Sequence, residues 1–299
     1  MYGFHAWMFP LASAFMWCTT LLAMIITWAA TGRPIYPSED GTIPYISDIG
    51  ASYLKPLFVT GSVITGLGFF LAVLSERIYR MRGKLLPNVK RRGAVLGVIS
   101  SICAFIAAAG LGLLSGFDTL RYQSMHRLFL LIFMLGTVLS AIATTVEFLV
   151  LKREARHAAG FADVTDFTFN IMRMAKGLTW SYIAKMVIVT IEIGLSVGFG
   201  VAMYSSHNNV AAILEWTISF VFVFYVLTFY FDLRPAAHSP DGKYDVSGVG
   251  DHLRVQMDGE LRSGSAAGFM SGGHRPGSGT VTGSDPEIQQ VASVASRTA

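Results

Sequence analysis

The sequence predicts an all-α polytopic membrane protein: a bundle of six transmembrane helices, residues 1–235, followed by a disordered tail, 236–299. Three observations predict it. Of 299 residues, 53% are hydrophobic and only 14% charged, and the mean hydropathy is +0.51, the balance of a chain that lives in lipid. Six stretches are long enough to cross a bilayer core, which takes about 20 apolar residues. Their apolarity is continuous, without strand-like alternation, so the backbone groups that lipid cannot satisfy pair within helices.

The first run, about 10–31, is long for a signal-peptide core and lacks both a basic leader and a small-x-small cleavage site, so it reads as an uncleaved span. The second covers about 56–76 and the third about 93–117. The third carries Gly93/Gly97 and Gly112/Gly116 at the four-residue spacing that lets helix backbones approach, as do Gly194/Gly198 in the fifth. The fourth, fifth and sixth runs cover about 127–151, 177–204 and 210–231. Beyond Pro235 the chain turns rich in Gly, Ser and Thr, a composition that cannot bury enough apolar surface to offset its ordering entropy. Within it HLRVQMDGELR alternates ahead of Asp258-Gly259, compatible with a transient strand, a linear motif or plain disorder.

Orientation follows from the cations of the short loops. The second loop holds Arg77, Arg80, Arg82, Lys84, Lys90, Arg91 and Arg92, and the fourth Lys152, Arg153, Arg156, Arg173 and Lys176, against few elsewhere. Both loops, and with six spans both termini, are expected in the cytoplasm. The basic second loop is an expected anionic-lipid surface, with phosphoinositides as candidate ligands at about 1 kcal/mol per cation. The same charges also serve to orient the helices. They explain the pI of about 9.1 without nucleic acid.

Ionisable residues within spans are functional candidates by default. Here they are Glu147, Lys185, Glu192 and Glu215. Glu147 and Lys185 should lie at similar depth and are expected to pair, either as a register-fixing ion pair or as a transported-ion site. On the outer side, Pro44, Ser47, Asp48 and Gly50 of the first loop join Asp118, Arg121, His126 and Glu215 in a polar rim. Three roles suit it: binding a lipid headgroup, with Arg121 on phosphate; catalysis, with Asp118 orienting His126 as a base; or local contacts that stitch the hairpin.

Little else in the chain is chemically marked. Cys18 and Cys103 lie within separate spans and make no disulfide framework. Of the histidines only His126 and His207 fall on the outer side, short of three zinc ligands. Phosphate-loop, dinucleotide and kinase signatures are absent, as are glycosylation sequons. No cofactor or metal is expected, and no internal repeat of the transporter kind is seen.

PYISDIGA in the first outer loop, FDTLRYQSMHRLFLLIF across the polar hairpin and AILEWTISFVFVFYVLTFYFDLRPA in the last span, in that order, resemble the family that groups FGF-receptor-activating protein, the damage-regulated autophagy modulators (DRAM) and the suppressor-of-four-kinase protein. The likeness reaches about Pro235 and is nearest the fungal members. It implies six spans with both ends cytoplasmic and no established catalytic set. Pro44, Ser47, Asp48, Gly50, Asp118, His126, Glu215 and Trp216 are its motif positions here. The fungal members imply a non-enzymatic regulator of lipid homeostasis at the plasma membrane, supporting a phosphatidylinositol 4-kinase complex or lipid asymmetry. Other branches imply autophagy at the vacuole or lysosome, or GPI-anchor lipid remodelling in the Golgi, where Asp118 and His126 would sit at the reaction centre.

Overall fold

The computed structural model describes residues 5–85, 88, 91–161 and 166–238, the side chains of 154–180 and 238 excepted. Lys90 and the tail from 239 onward, with HLRVQMDGELR, lie outside the described residues, as do the side chains of Arg156, Arg173 and Lys176. The elements are α1 (Met8–Ala30), a short α2 (Ile46–Gly50), α3 (Lys55–Met81), α4 (Arg91–Gly116), α5 (Gln123–Phe161), α6 (Asp166–Tyr204), α7 (Asn208–Leu233) and a closing 3-10 turn (Arg234–His238). Among the described residues there is no strand, and the six long helices are each long and apolar enough to span a membrane.

The helices outlast the apolar runs that reveal them. Both α5 and α6 have 39 residues, about 58 Å at 1.5 Å per residue, against a hydrocarbon core of about 30 Å. The expected spans stop at 151 and restart at 177 because apolarity fails there. Helix propensity does not fail, since Lys, Arg, Glu and Ala in LKREARHAA are good helix formers. At the other end of the first span, Gly32 at φ +86° and Arg33 at φ +57° break α1 with a left-handed turn.

Helix α4 packs along α5 and α3, α1 along α3 and α7, and α6 against α5 and α7. Connections alternate between two ends of the bundle. The α1–α3 segment, the α4–α5 link and the α6–α7 turn share the end called the cap below, and the α3–α4 and α5–α6 links share the other. At the centre Phe69 of α3 meets the rings of Phe222, Tyr225 and Phe229 of α7 edge-on or tilted at 5.5–6.1 Å, a favoured aromatic geometry. Outward, Phe15, Ile102, Leu135, Val197 and Phe224 remain exposed to what would be lipid. Small and hydroxyl residues line the helix contacts instead. The Ser100 hydroxyl bonds the Ser140 and Thr144 hydroxyls at 3.1 and 2.6 Å, a polar seam of the kind that glues helices where hydrophobicity gives no preference.

The glycines at the closest approaches are mostly not those that spacing picks out. A Cβ on Gly110 would lie 2.9 Å from the Phe133 nitrogen, and one on Gly136 3.0 Å from the Ala107 nitrogen. Around Gly116 and Gly194 there is open space, and at Gly112 and Gly198 ordinary contact. Gly97 does serve a purpose: a Cβ there would press on the Glu147 carboxylate.

Candidate functional site

Two polar assemblies stand out, one at the cap and one buried within the opposite half. At the cap, the irregular segment after α1 is held by backbone-directed bonds. Asp48, third residue of α2, accepts the Tyr45 N–H at 3.0 Å and the Ser38 hydroxyl at 2.6 Å. Helix α7 grips the same segment. The Glu215 carboxylate accepts the Ile46 N–H at 2.8 Å, the Trp216 indole donates to the Pro44 carbonyl at 3.1 Å, and Asn209 accepts the Thr42 and Ile43 N–H groups at 2.7 and 3.2 Å. Gly50 is needed at the end of α2, where a Cβ would run into the Phe58 ring.

The polar hairpin supplies the other half of the cap. Asp118 accepts the Lys55 ammonium at 2.6 Å and the Arg121 N–H at 2.7 Å. Burial raises its pKa, but the Lys55 bond and the Arg121 N–H outweigh it and hold the carboxyl below its ordinary value. Thr119 reaches the Ser47 carbonyl and Ser38 hydroxyl at 3.4 Å. His126 is 3% exposed, and its Nδ1 faces the Leu114 and Phe117 carbonyls at 2.8 and 2.9 Å. Two acceptors there require the proton on Nδ1, which staples α5 to the C-terminal end of α4. Arg121 and Arg127 keep exposed guanidinium groups.

The dyad expectation is therefore corrected. Asp118 is taken up by Lys55 and the Arg121 backbone, while the His126 proton is spent on carbonyls. Glu215 and Asp48 are likewise buried rather than presented to headgroups, because each caps backbone N–H groups that lipid would leave bare.

Inside the bundle, near the end opposite the cap, charges from four helices meet. Lys185 of α6 donates to Asp232 of α7 in an ion pair and lies 4.0 Å from Glu76 of α3. The Lys185 ammonium also sits over the Phe229 and Phe148 rings at 3.9 and 4.6 Å. Arg80 bonds Glu76 one turn back at 2.6 Å and approaches Glu147 of α5 at 3.8 Å. Asn88 and Ser181 complete the shell, donating at 2.6 Å to Glu147 and Asp232. All five ionisable groups are under 5% exposed.

Sequence reasoning expected Glu147 to pair with Lys185. The geometry gives Lys185 to Asp232 and Glu76 and sets Arg80 beside Glu147. Arg80 is also removed from the surface set, since α3 continues past residue 76 and turns it inward. Arg77 leans over Gly97 beside Glu147. Arg82, Arg91 and Arg92 are exposed and Lys84 lies over the Tyr79 ring at 5.5 Å. Glu76 and Asp232 were missed because each ends an apolar run, where charge reads as a boundary. The four-residue step from Glu76 to Arg80 was the available signal. Among the described residues no group of His, Cys, Asp and Glu is arranged to hold a metal.

The family model described as the Frag1/DRAM/Sfk1/Cwh43P N-terminal domain matches residues 5–236. The chain belongs to this family. It is 28% identical over 235 residues to protein sfk1 of Schizosaccharomyces pombe, covering 79% of this chain and 66% of that one. It is 38% identical over 91 residues to protein SFK1 of Saccharomyces cerevisiae, covering 29% of this chain and 25% of that one. The matched part thus spans just under two thirds of the first relative and a quarter of the second. No solved structure matches it.

In this Frag1/DRAM/Sfk1 bundle Asp48 of the cap titrates in a useful range. Burial pushes the Asp48 carboxyl from 3.8 up to about 6, against the Ser38 and Tyr45 hydrogen bonds that pull it down. A carboxyl with a raised folded-state pKa binds its proton more tightly when folded, so its contribution to stability falls as pH rises through that window. Wild-type protein is expected to lose melting temperature between about pH 4 and pH 6 relative to Asp48→Asn. Parallel pH profiles in differential scanning fluorimetry would refute it.

Proposed function

We propose that this chain is a non-enzymatic integral membrane regulator of lipid homeostasis, acting at the plasma membrane with both termini cytoplasmic. On this reading it supports phosphatidylinositol 4-kinase signalling or lipid asymmetry through its basic end. The observation that carries the proposal is the division of charge. Asp48, Asp118 and Glu215 of the cap and the interior cluster around Lys185 are engaged with one another, with Lys55 or with backbone, whereas Arg82, Arg91, Arg92 and Arg153 stand exposed at the opposite end, against Arg33, Arg121 and Arg127 at the cap. Exposed cations beside a membrane attract anionic lipid, and kinship with the two Sfk1 proteins favours this branch of the family.

The test uses a fission yeast strain lacking its own sfk1. Deletion should lower plasma-membrane phosphatidylinositol 4-phosphate, and this chain should restore it. Arg82→Gln/Arg91→Gln/Arg92→Gln should restore less than half, with tag-accessibility assays showing unchanged topology. Full restoration by the triple variant overturns the role of the basic end, and no fall on deletion overturns the phosphoinositide reading. Asp118→Asn/His126→Ala, if abundant and correctly located yet unable to restore, would return the catalytic reading to the front.

A further inference from the structure

A groove of about 30 Å³ lies among α1, α5, α6 and α7, partly open at the side of the bundle. Its walls are apolar, formed by residues such as Phe133, Val138, Val189 and Phe222. Its polar members are out of keeping with those walls. Three buried side-chain atoms without a hydrogen-bond partner belong to residues lining this one groove: Trp17 Nε1, Thr137 Oγ1 and Glu192 Oε1. Trp17 is 3% exposed. Buried polar groups without partners are uncommon and costly, and a cluster of them in a cavity marks something that belongs there.

The chemistry of that occupant follows from what the groups require. The Trp17 indole can only donate, so the occupant accepts. Glu192 Oε1 offers an acceptor oxygen and the Thr137 hydroxyl can both accept and donate, so an occupant that donates as well as accepts suits all three. A bare ammonium fails the first requirement and a phosphate fails the second beside the Glu192 carboxyl. The cation nearest in sequence on α6, Lys185, is held by Asp232 and Glu76. Depth narrows the choice further. Glu192 stands midway along the Ser181–Tyr204 span, about 17 Å from either end, where a charged headgroup meets a severe desolvation cost. A single hydroxyl does not. The volume admits about two water-sized groups, matching a hydroxyl and its neighbouring carbon, with the apolar body lying along the open side.

We propose that this groove binds a neutral membrane lipid through its free hydroxyl, held by Trp17, Thr137 and Glu192. This goes beyond the regulatory reading and stands or falls separately from it, since the readout is direct binding.

The test reconstitutes the full chain in nanodiscs and photolabels it with a photoreactive diacylglycerol, a photoreactive sterol or, as a control, photoreactive phosphatidylcholine. At least one hydroxyl lipid should label peptides of α5 and α6, and its O-methyl ether should not. The arm that labels names the source. Thr137→Val and, separately, Glu192→Gln should each reduce that labelling about five-fold, the loss of one hydrogen bond, with monodispersity and melting temperature retained. Thr137→Val changes shape least, so it keeps the test decisive if Glu192→Gln perturbs folding. Equal labelling by phosphatidylcholine or by the O-methyl ethers overturns the proposal, as does labelling elsewhere, none at all, or labelling unaffected by Thr137→Val.

Discussion

Lys185→Met is expected to destabilise the bundle by about 3–5 kcal/mol, the cost of removing one partner from a buried ion pair. The side chain volume is nearly preserved, so the loss is electrostatic. Without the ammonium, Glu76, Glu147 and Asp232 face Arg80 within one buried cluster. Lys185→Met combined with Asp232→Asn removes the pair together and should cost less than the sum of the single changes, with a coupling of about 1–3 kcal/mol. Thermal unfolding in detergent, followed by size-exclusion profile, measures all three variants. Strict additivity would mean that the Lys185–Asp232 contact contributes nothing of its own.

The second large effect is steric and is expected at Gly136. Gly136→Val places a branched side chain where even a Cβ would lie 3.0 Å from the Ala107 backbone nitrogen. Backbone cannot rotate aside as a side chain can, so α4 and α5 must separate, costing about 1–3 kcal/mol or more. Gly110→Ala meets the Phe133 backbone from the other helix at 2.9 Å and should behave alike. Gly194→Ala, which meets nothing within 4 Å, should be neutral or gain up to about 1 kcal/mol from helix propensity. The same melting assay ranks them, and equal effects at Gly136 and Gly194 would deny the close α4–α5 contact.

The contrast between those glycines shows where the sequence stops being informative. Six helices could be read because continuous apolarity is a one-dimensional property, set by the bilayer rather than by neighbouring residues. Which face of each helix meets a neighbour is not. The GxxxG spacing therefore selected Gly194 and Gly116, which open onto space, and passed over Gly136. Charges followed the same rule. Lys185 was recognised as an intramembrane group from hydropathy alone, but its partners come from α3 and α7, at the edges of runs where Glu76 and Asp232 looked like ordinary terminators. At the hairpin, residue types suggested an Asp–His dyad. Lys55, which claims Asp118, lies 63 positions away along the chain, and the carbonyls that claim His126 have no signature in sequence at all.

The grip of α7 on the segment before α3 also bears on how the protein is made. Thr42, Ile43, Pro44 and Ile46 find their partners 166–172 positions later, on Asn209, Glu215 and Trp216. During synthesis these backbone groups therefore wait, open to solvent, until the last span has entered the bilayer. A nascent chain halted before Asn208 would still hold five of the six spans, yet its cap would hang unlatched. Completion of the last helix is thus reported at the far end of the sequence, and a surveillance factor that senses loose backbone at that rim would tell finished molecules from truncated ones.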